Sequence, residues 1–207
     1  MDILLDKVSK RFNQDWLFKD LNYRFCAPLS YAITGPNGSG KTTLLKIISG
    51  MIPCTAGEVI YRKSNETVDP DSIYKYISYV APYMELPEEL TLNEFLKFHF
   101  GLKPNLEGLS SKDIAAMASL EHALNKPLHT FSSGMKQRVK LAIGIFSSTP
   151  VLLLDEPTTN FDESGTSWYK QEIKRVKSEK LIIISSNQRH EYDFCDHLIQ
   201  LGSSKPK

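Results

Sequence analysis

The stretch Gly35-Pro36-Asn37-Gly38-Ser39-Gly40-Lys41-Thr42 fits the pattern G-x-x-x-x-G-K-S/T. Its glycines let successive backbone N–H groups converge on phosphate oxygens, and a helix beginning near Gly40 adds its positive N-terminal end. Lys41 is expected to reach the outer phosphates of a nucleotide. The Thr42 hydroxyl is expected to bind a Mg²⁺ ion held on them, and Thr43 beside it belongs to the ATP-binding stretch. Glycines of this kind also occur in plain turns. Here, however, they lie between the strand-like SYAIT and a helical run, which is the context a phosphate grip requires.

Such a loop needs a carboxylate at the end of a neighbouring strand. The run VLLLDEP supplies two: Asp155 to hold the metal shell, and Glu156 to orient and deprotonate an attacking water. Alone, the pair would read as a solvated turn after a strand. Together with the loop it reads as phosphoryl chemistry.

The elements that must position these groups follow from the pattern. DILLDKVSKRF, LNYRF and SYAIT are strand-like, AGEVIYRKSNETV reads as a hairpin or a pair of edge strands, and YISYV as another strand. The period then changes. LTLNEFLKFHFGL sets Leu92, Phe95, Leu96 and Phe98–His99 at helical spacing, KDIAAMASLEHAL is helical, and MKQRVKLAIGIF is an amphipathic helix with a basic start. PVLLLDEP and KLIIISSN are short apolar runs bounded by turn residues, which suits buried parallel strands, with SWYKQEIKRVKSE as the crossover helix. Phe95, Phe98 and Phe100 read as packing residues.

Bulk properties narrow the classes. A chain of 207 residues, 41% hydrophobic and 24% charged, is an ordinary globular composition long enough for a substantial core. The net charge of +1 gives no reason to expect nucleic acid as a partner. Cys26, Cys54 and Cys195 are scattered, with no C-x-x-C, which fits a reducing compartment. The tripeptide Asn65-Glu66-Thr67 matches a glycosylation acceptor, but nothing else has a secreted character. The longest apolar runs are far too short to cross a bilayer, so any membrane-spanning part belongs to another polypeptide.

A third segment makes the pattern specific. FSSGMKQRV resembles the signature of ABC-type ATPases, with Phe131, Ser132, Ser133, Gly134 and Met135 on its five positions and Gln137-Arg138 after it. The interval to VLLLDEP is similar to that family's. TTNFD resembles its D-loop, ending at Asp162, and LPEELTLNEFL resembles the start of its helical subdomain. Phe12 matches the aromatic that stacks on adenine, with Trp16 as the competing ring and the core as Phe12's other possible place.

The resemblance covers nearly the whole chain. It implies an α/β fold: a P-loop NTPase core with a mixed or parallel sheet, an N-terminal antiparallel β subdomain and a helical insertion. The chain would form one domain over residues 1–207, with core at about 1–82 and 136–207 and helical subdomain at about 83–135. It also implies a Mg-dependent ATPase that binds ATP between two copies. The phosphate loop of one would face Ser132 and the Gly134 N–H of the other. A homodimer or a second, different ATPase subunit would pair in this way on separate transmembrane permease subunits. The location implied is cytoplasmic, peripheral to the inner or plasma membrane. Aromatics near Tyr79–Phe100 are expected at the groove that receives the permease. Short subunits of this kind resemble exporter types, including the haem-exporter ATPases of cytochrome c maturation.

Two positions depart from the family. Pro82 falls where a metal-binding glutamine is expected, and it offers neither side-chain amide nor N–H. Asn187 stands at the switch histidine; it can donate to a phosphate but cannot titrate. His190, three residues on, is either a substitute or an ordinary surface histidine. Ser133 and Met135 are smaller departures. Slow hydrolysis resting on Glu156 is the expectation. A non-hydrolysing regulatory switch and a soluble, non-transport ABC ATPase are the other readings.

Overall fold

The computed structural model describes residues 1–64, 66–106 and 108–202; Asn65 of the glycosylation-like tripeptide lies outside the described residues. Strands β1 (Asp2–Phe12) and β2 (Asp15–Phe25) pair antiparallel across a tight connection. Next come β3 (Ser30–Thr34) and α1 (Lys41–Ile48). The expected hairpin forms as β4 (Ala56–Lys63) and β5 (Glu66–Val68), and β4 also pairs with β1. The result is a four-stranded antiparallel sheet in the order β2-β1-β4-β5.

The second sheet is parallel. Its members are β3, β6 (Ile77–Val80), β7 (Val151–Asp155), β8 (Leu181–Ser185) and β9 (His197–Gln200), in the order β6-β7-β8-β3-β9. Every residue of β6, β7 and β8 is buried, which is why these runs read as continuous hydrophobics rather than alternating ones. Successive residues still serve opposite faces. Val151, Leu153, Leu181 and Ile183 pack with α1 and the antiparallel sheet. Leu152, Leu154, Ile182 and Ile184 pack with the helices on the other side.

Those helices are α2 (Leu92–Leu102), α3 (Ser111–Met117), α4 (Ser133–Ile145) and α5 (Glu163–Val176), followed by the short α6 (Arg189–Tyr192). Thr91 with Glu94, and Ser110 with Asp113, form reciprocal capping boxes that start α2 and α3. α2 and α3 contribute Leu92, Phe95, Leu96 and Ile114 to the same core as α4, α5 and the sheet, so the insertion is packed against it.

Two expectations need correction. KDIAAMASLEHAL is not one helix. α3 ends where Ser119 adopts a φ of 57°, with Leu120 N–H bonded to Ala115 O and Ser119 N–H to Ala116 O. This left-handed closure swings Leu120 into the core. Phe98 is not a packing residue: it is 59% exposed, whereas Phe95 is buried. At about 100° per residue, Phe98 lies about 120° away from the buried stripe centred on Leu92.

Candidate nucleotide site

The phosphate loop connects β3 to α1 at the C-terminal end of the parallel sheet, where ligands of such sheets collect. Gly35 has a φ of 148°, and a Cβ there would lie 2.3 Å from the Leu201 carbonyl oxygen. Gly40, at a φ of 99°, starts α1, and no side chain caps that helix. The first N–H groups of α1 are therefore left for a ligand to satisfy. Lys41 is buried, its Nζ turned onto the loop and donating to Gly35 O at 2.8 Å and Pro36 O at 3.3 Å. In this position the ammonium spans the loop that phosphates would fill.

Asp155 closes β7. It is 2% exposed, and its Oδ1 has no hydrogen-bond partner. A buried unpaired carboxylate oxygen is costly unless a cation or water meets it. A hard carboxylate oxygen left in this way fits a Mg²⁺ ion, and the Thr42 hydroxyl is a second oxygen donor of the same hard kind. Glu156 follows with a φ of 43°, its N–H bonded to Ser185 O at 2.9 Å. Its side chain stays exposed while the backbone takes a left-handed turn.

A cleft of about 320 Å³ brings Phe12, Asn37, Gly38, Gly40, Lys41, Thr42, Thr43 and Glu156 together. Phe12 is 53% exposed, so it is not a core residue. Trp16 does not line the cleft; Lys19 and Arg11 sit 4.9 and 5.5 Å from its ring centroid. A larger cleft of about 1030 Å³ shares Asn37 and Glu156 and adds Asp162, Asn187 and His190. Asn187 accepts the Gly35 N–H and donates to Asn37 Oδ1, each at 3.3 Å.

The signature residues stand apart from both clefts. Ser132 caps α4, accepting the Met135 N–H at 3.2 Å, and Ser133 and Gly134 begin the helix. Ser133 has ordinary helical backbone, so replacing a glycine there costs little. The two clefts of a single chain thus bring together the loop, Glu156, Asn187 and Phe12, with Asp155 buried one residue before Glu156, but not Ser132, Ser133, Gly134 and Met135.

Asp162 caps α5. The Gly165 N–H at 2.7 Å and the Ser164 hydroxyl at 3.0 Å hold its carboxyl below the usual carboxylate range. Pro82 offers only its carbonyl, which accepts Lys140 Nζ at 2.6 Å. His190 is bonded to the Thr158 hydroxyl at 2.9 Å. Thr158 and Glu191 are buried contributors that sequence reasoning missed. Glu191 lies in the polar stretch NQRHEYDF, where nothing marks one carboxylate as internal.

The family model described as ABC transporter matches residues 18–159. The cytochrome c biogenesis ATP-binding export protein CcmA of Saccharophagus degradans is 32% identical over 182 residues, covering 83% of this chain and 81% of its own. The lantibiotic transport ATP-binding protein SrtF of Streptococcus pyogenes is 28% identical over 209 residues, covering 94% and 82%. The ATP-binding cassette MJ0796, solved as a dimer in a post-hydrolysis state with ADP and Pi, matches at a TM-score of 0.82 and 25% identity, covering 96% of this chain and 94% of that one. With its phosphate loop, paired carboxylates and signature in order along one such fold, this chain belongs to the ABC transporter family of ATP-binding proteins.

Proposed function

We propose that this chain is the ATP-binding and hydrolysing subunit of an ABC transporter, coupling nucleotide-driven dimerisation to movement of separate transmembrane subunits. The observation that carries this reading is the convergence of the phosphate loop, Phe12, Glu156 and Asn187 on two adjoining clefts. The adenine stacks on Phe12, and the phosphates lie against the N–H groups of Gly38 and of Gly40 to Thr43, with Lys41 moving from loop carbonyls to the outer phosphates. A Mg²⁺ ion held through Thr42 and Asp155 would neutralise charge on the β- and γ-phosphates. Glu156 orients a water and takes its proton as the water oxygen bonds to the γ-phosphorus. The bond to the β-phosphate oxygen breaks, leaving ADP and phosphate.

The signature segment is separate from these clefts in one chain, and this supports a second copy as its user. Ser132 and the Gly134 N–H, at the positive end of α4, would face the γ-phosphate held by the partner. Asp162 lines the larger cleft, which supports a part for it at that contact. The second copy is either this chain again or a different cassette.

Among the described residues, no helix is long and apolar enough to cross a membrane. This supports the reading in which separate permease subunits span the membrane and this protein sits at the cytoplasmic face, peripheral to the inner or plasma membrane. A groove of about 490 Å³ lined by Met51, Tyr74, Tyr79, Met84, His99 and Ile143 is the proposed seat for the permease. It lies where the helical unit near residues 83–135 meets the core of this single domain. The relatives are named for different cargo and directions, lantibiotic transport in SrtF and export in CcmA, and the cargo is set by the permease. Pro82 and Asn187 favour a second reading, a slow or non-hydrolysing switch. The test is sedimentation of Glu156→Gln with ATP and Mg²⁺: ATP-dependent dimerisation is expected, and a monomer at saturating ATP contradicts the proposal.

A further inference from the structure

The turn that carries Glu156 is clamped from two sides. From α4, Gln137 Nε2 donates to Pro157 O at 2.8 Å. From the segment after β8, Glu191 Oε1 accepts both the Thr158 N–H at 2.7 Å and the Thr158 hydroxyl at 2.5 Å. Glu191 is 1% exposed, and its backbone carbonyl accepts the buried Tyr169 hydroxyl at 2.9 Å. Its second oxygen, Oε2, is buried without a hydrogen-bond partner. A carboxylate buried in this way is an expensive means of holding one turn, since a neutral side chain would avoid the desolvation. What it achieves is a double grip on one residue, two positions beyond a glutamate whose φ is 43°.

The hydroxyl of Thr158 has a single proton. It donates to the Glu191 carboxylate, so it must accept from His190 Nε2, 2.9 Å away. The hydrogen bonds thus run from His190 to Thr158 to Glu191. His190 is engaged there and is not directed at the phosphate loop. The same short segment holds the phosphate loop at its start, through Asn187, and the Glu156 turn at its end, through Glu191.

We propose that Glu191 is a positioning residue for hydrolysis: by gripping Thr158 through its N–H and hydroxyl, its buried carboxylate sets the strained turn that aims Glu156 at the attacking water. This rests on the reading of Glu156 given above. Glu191 touches no substrate. Its removal should therefore change the hydrolytic step and leave ATP binding alone.

The experiment compares single-turnover hydrolysis of Mg-ATP, with protein in excess, and equilibrium ATP affinity across a set of variants. Glu191→Ala and Thr158→Val are expected to slow the hydrolytic step by roughly tenfold or more, because small displacements of a catalytic group have large effects on rate. ATP affinity should stay within about twofold of wild type, the signature of an interaction felt only in the transition state. Glu191→Gln keeps the accepting Oε1, and Thr158→Ser keeps the hydroxyl, so both should recover most of the rate. Thr158→Val preserves shape and carries the test even if Glu191→Ala fails to fold. A wild-type rate in Thr158→Val overturns the proposal, as does a parallel loss of rate and affinity, or a failure of Thr158→Ser to recover. Glu156→Gln, run alongside, separates the two claims. If it abolishes hydrolysis while the clamp variants do not slow it, the clamp alone is wrong. If it leaves the rate unchanged, the role assigned to Glu156 is wrong, and the clamp with it.

Discussion

Asn187 is hydrogen-bonded to the phosphate loop through Gly35: its side-chain Oδ1 accepts the Gly35 N–H at 3.3 Å, and its Nδ2 donates to Asn37 Oδ1. The residue at the switch position therefore already touches the loop proposed to hold the γ-phosphate. It supplies an amide donor where a histidine would supply a titratable one. Asn187→Ala should slow hydrolysis by roughly tenfold or more, as loss of a phosphate-facing donor does elsewhere. Because the amide cannot ionise, the wild-type rate should show no limb from this position near pH 6.5, and Asn187→His should introduce one. pH–rate profiles of the two proteins check this.

Phe12 lies at the end of β1, half exposed beside the loop, with Lys10 Nζ 5.2 Å from its ring centroid. An exposed ring of this kind adds little to folding stability. Phe12→Ala should weaken ATP binding by roughly tenfold, from loss of about 1–2 kcal/mol of base stacking. The unfolding midpoint should barely move. Equal ATP affinity in the two proteins would show that the base binds elsewhere.

The orphan Oδ1 of Asp155 predicts the metal dependence. Chelation of divalent cations should abolish hydrolysis while leaving nucleotide binding measurable. Asp155→Asn should weaken binding of Mn²⁺, used as a spectroscopic stand-in, in the presence of a non-hydrolysable ATP analogue. Removing a buried unpaired charge should also leave the fold as stable as before or more so.

How much of this could be read from the chain differs by element. The strand–loop–helix around Gly35–Thr42, and the place of Asp155 and Glu156 at the end of a buried strand, were legible because each needs a residue type at a fixed offset from a strand end. The fully buried strands β7 and β8 were legible from their apolar runs. The break in KDIAAMASLEHAL was not, because Ser119 is an unusual residue for a left-handed closure and tertiary burial of Leu120 stabilises it. The exposure of Phe98 is set by its angle on the helix, which aromatic content alone does not carry. Glu191 and Thr158 were hidden for another reason. Their partnership joins residues 33 positions apart, and only the fold brings them together.

The last strand gives an acid-sensitivity prediction. Asp196 ties β9 to β3, accepting the Ser30 N–H at 2.8 Å and the Ser30 hydroxyl at 2.6 Å, with Lys177 at 3.0 Å. Burial acts to raise its pKa, but the bonds from Ser30 and Lys177 outweigh this and hold it at about 2. A carboxylate depressed in the folded state stabilises fully above its unfolded pKa of about 4, and this contribution is lost as pH falls from about 4 to about 2. Urea unfolding between those pH values should show a steeper loss for wild type than for Asp196→Asn.

The central claim is that Glu156 drives hydrolysis of ATP held by this loop. Steady-state hydrolysis with Mg²⁺, wild type beside Glu156→Gln, tests it most directly. The account predicts slow turnover in the wild type, and retained ATP binding with no turnover in the variant. Equal turnover in the two proteins would contradict it.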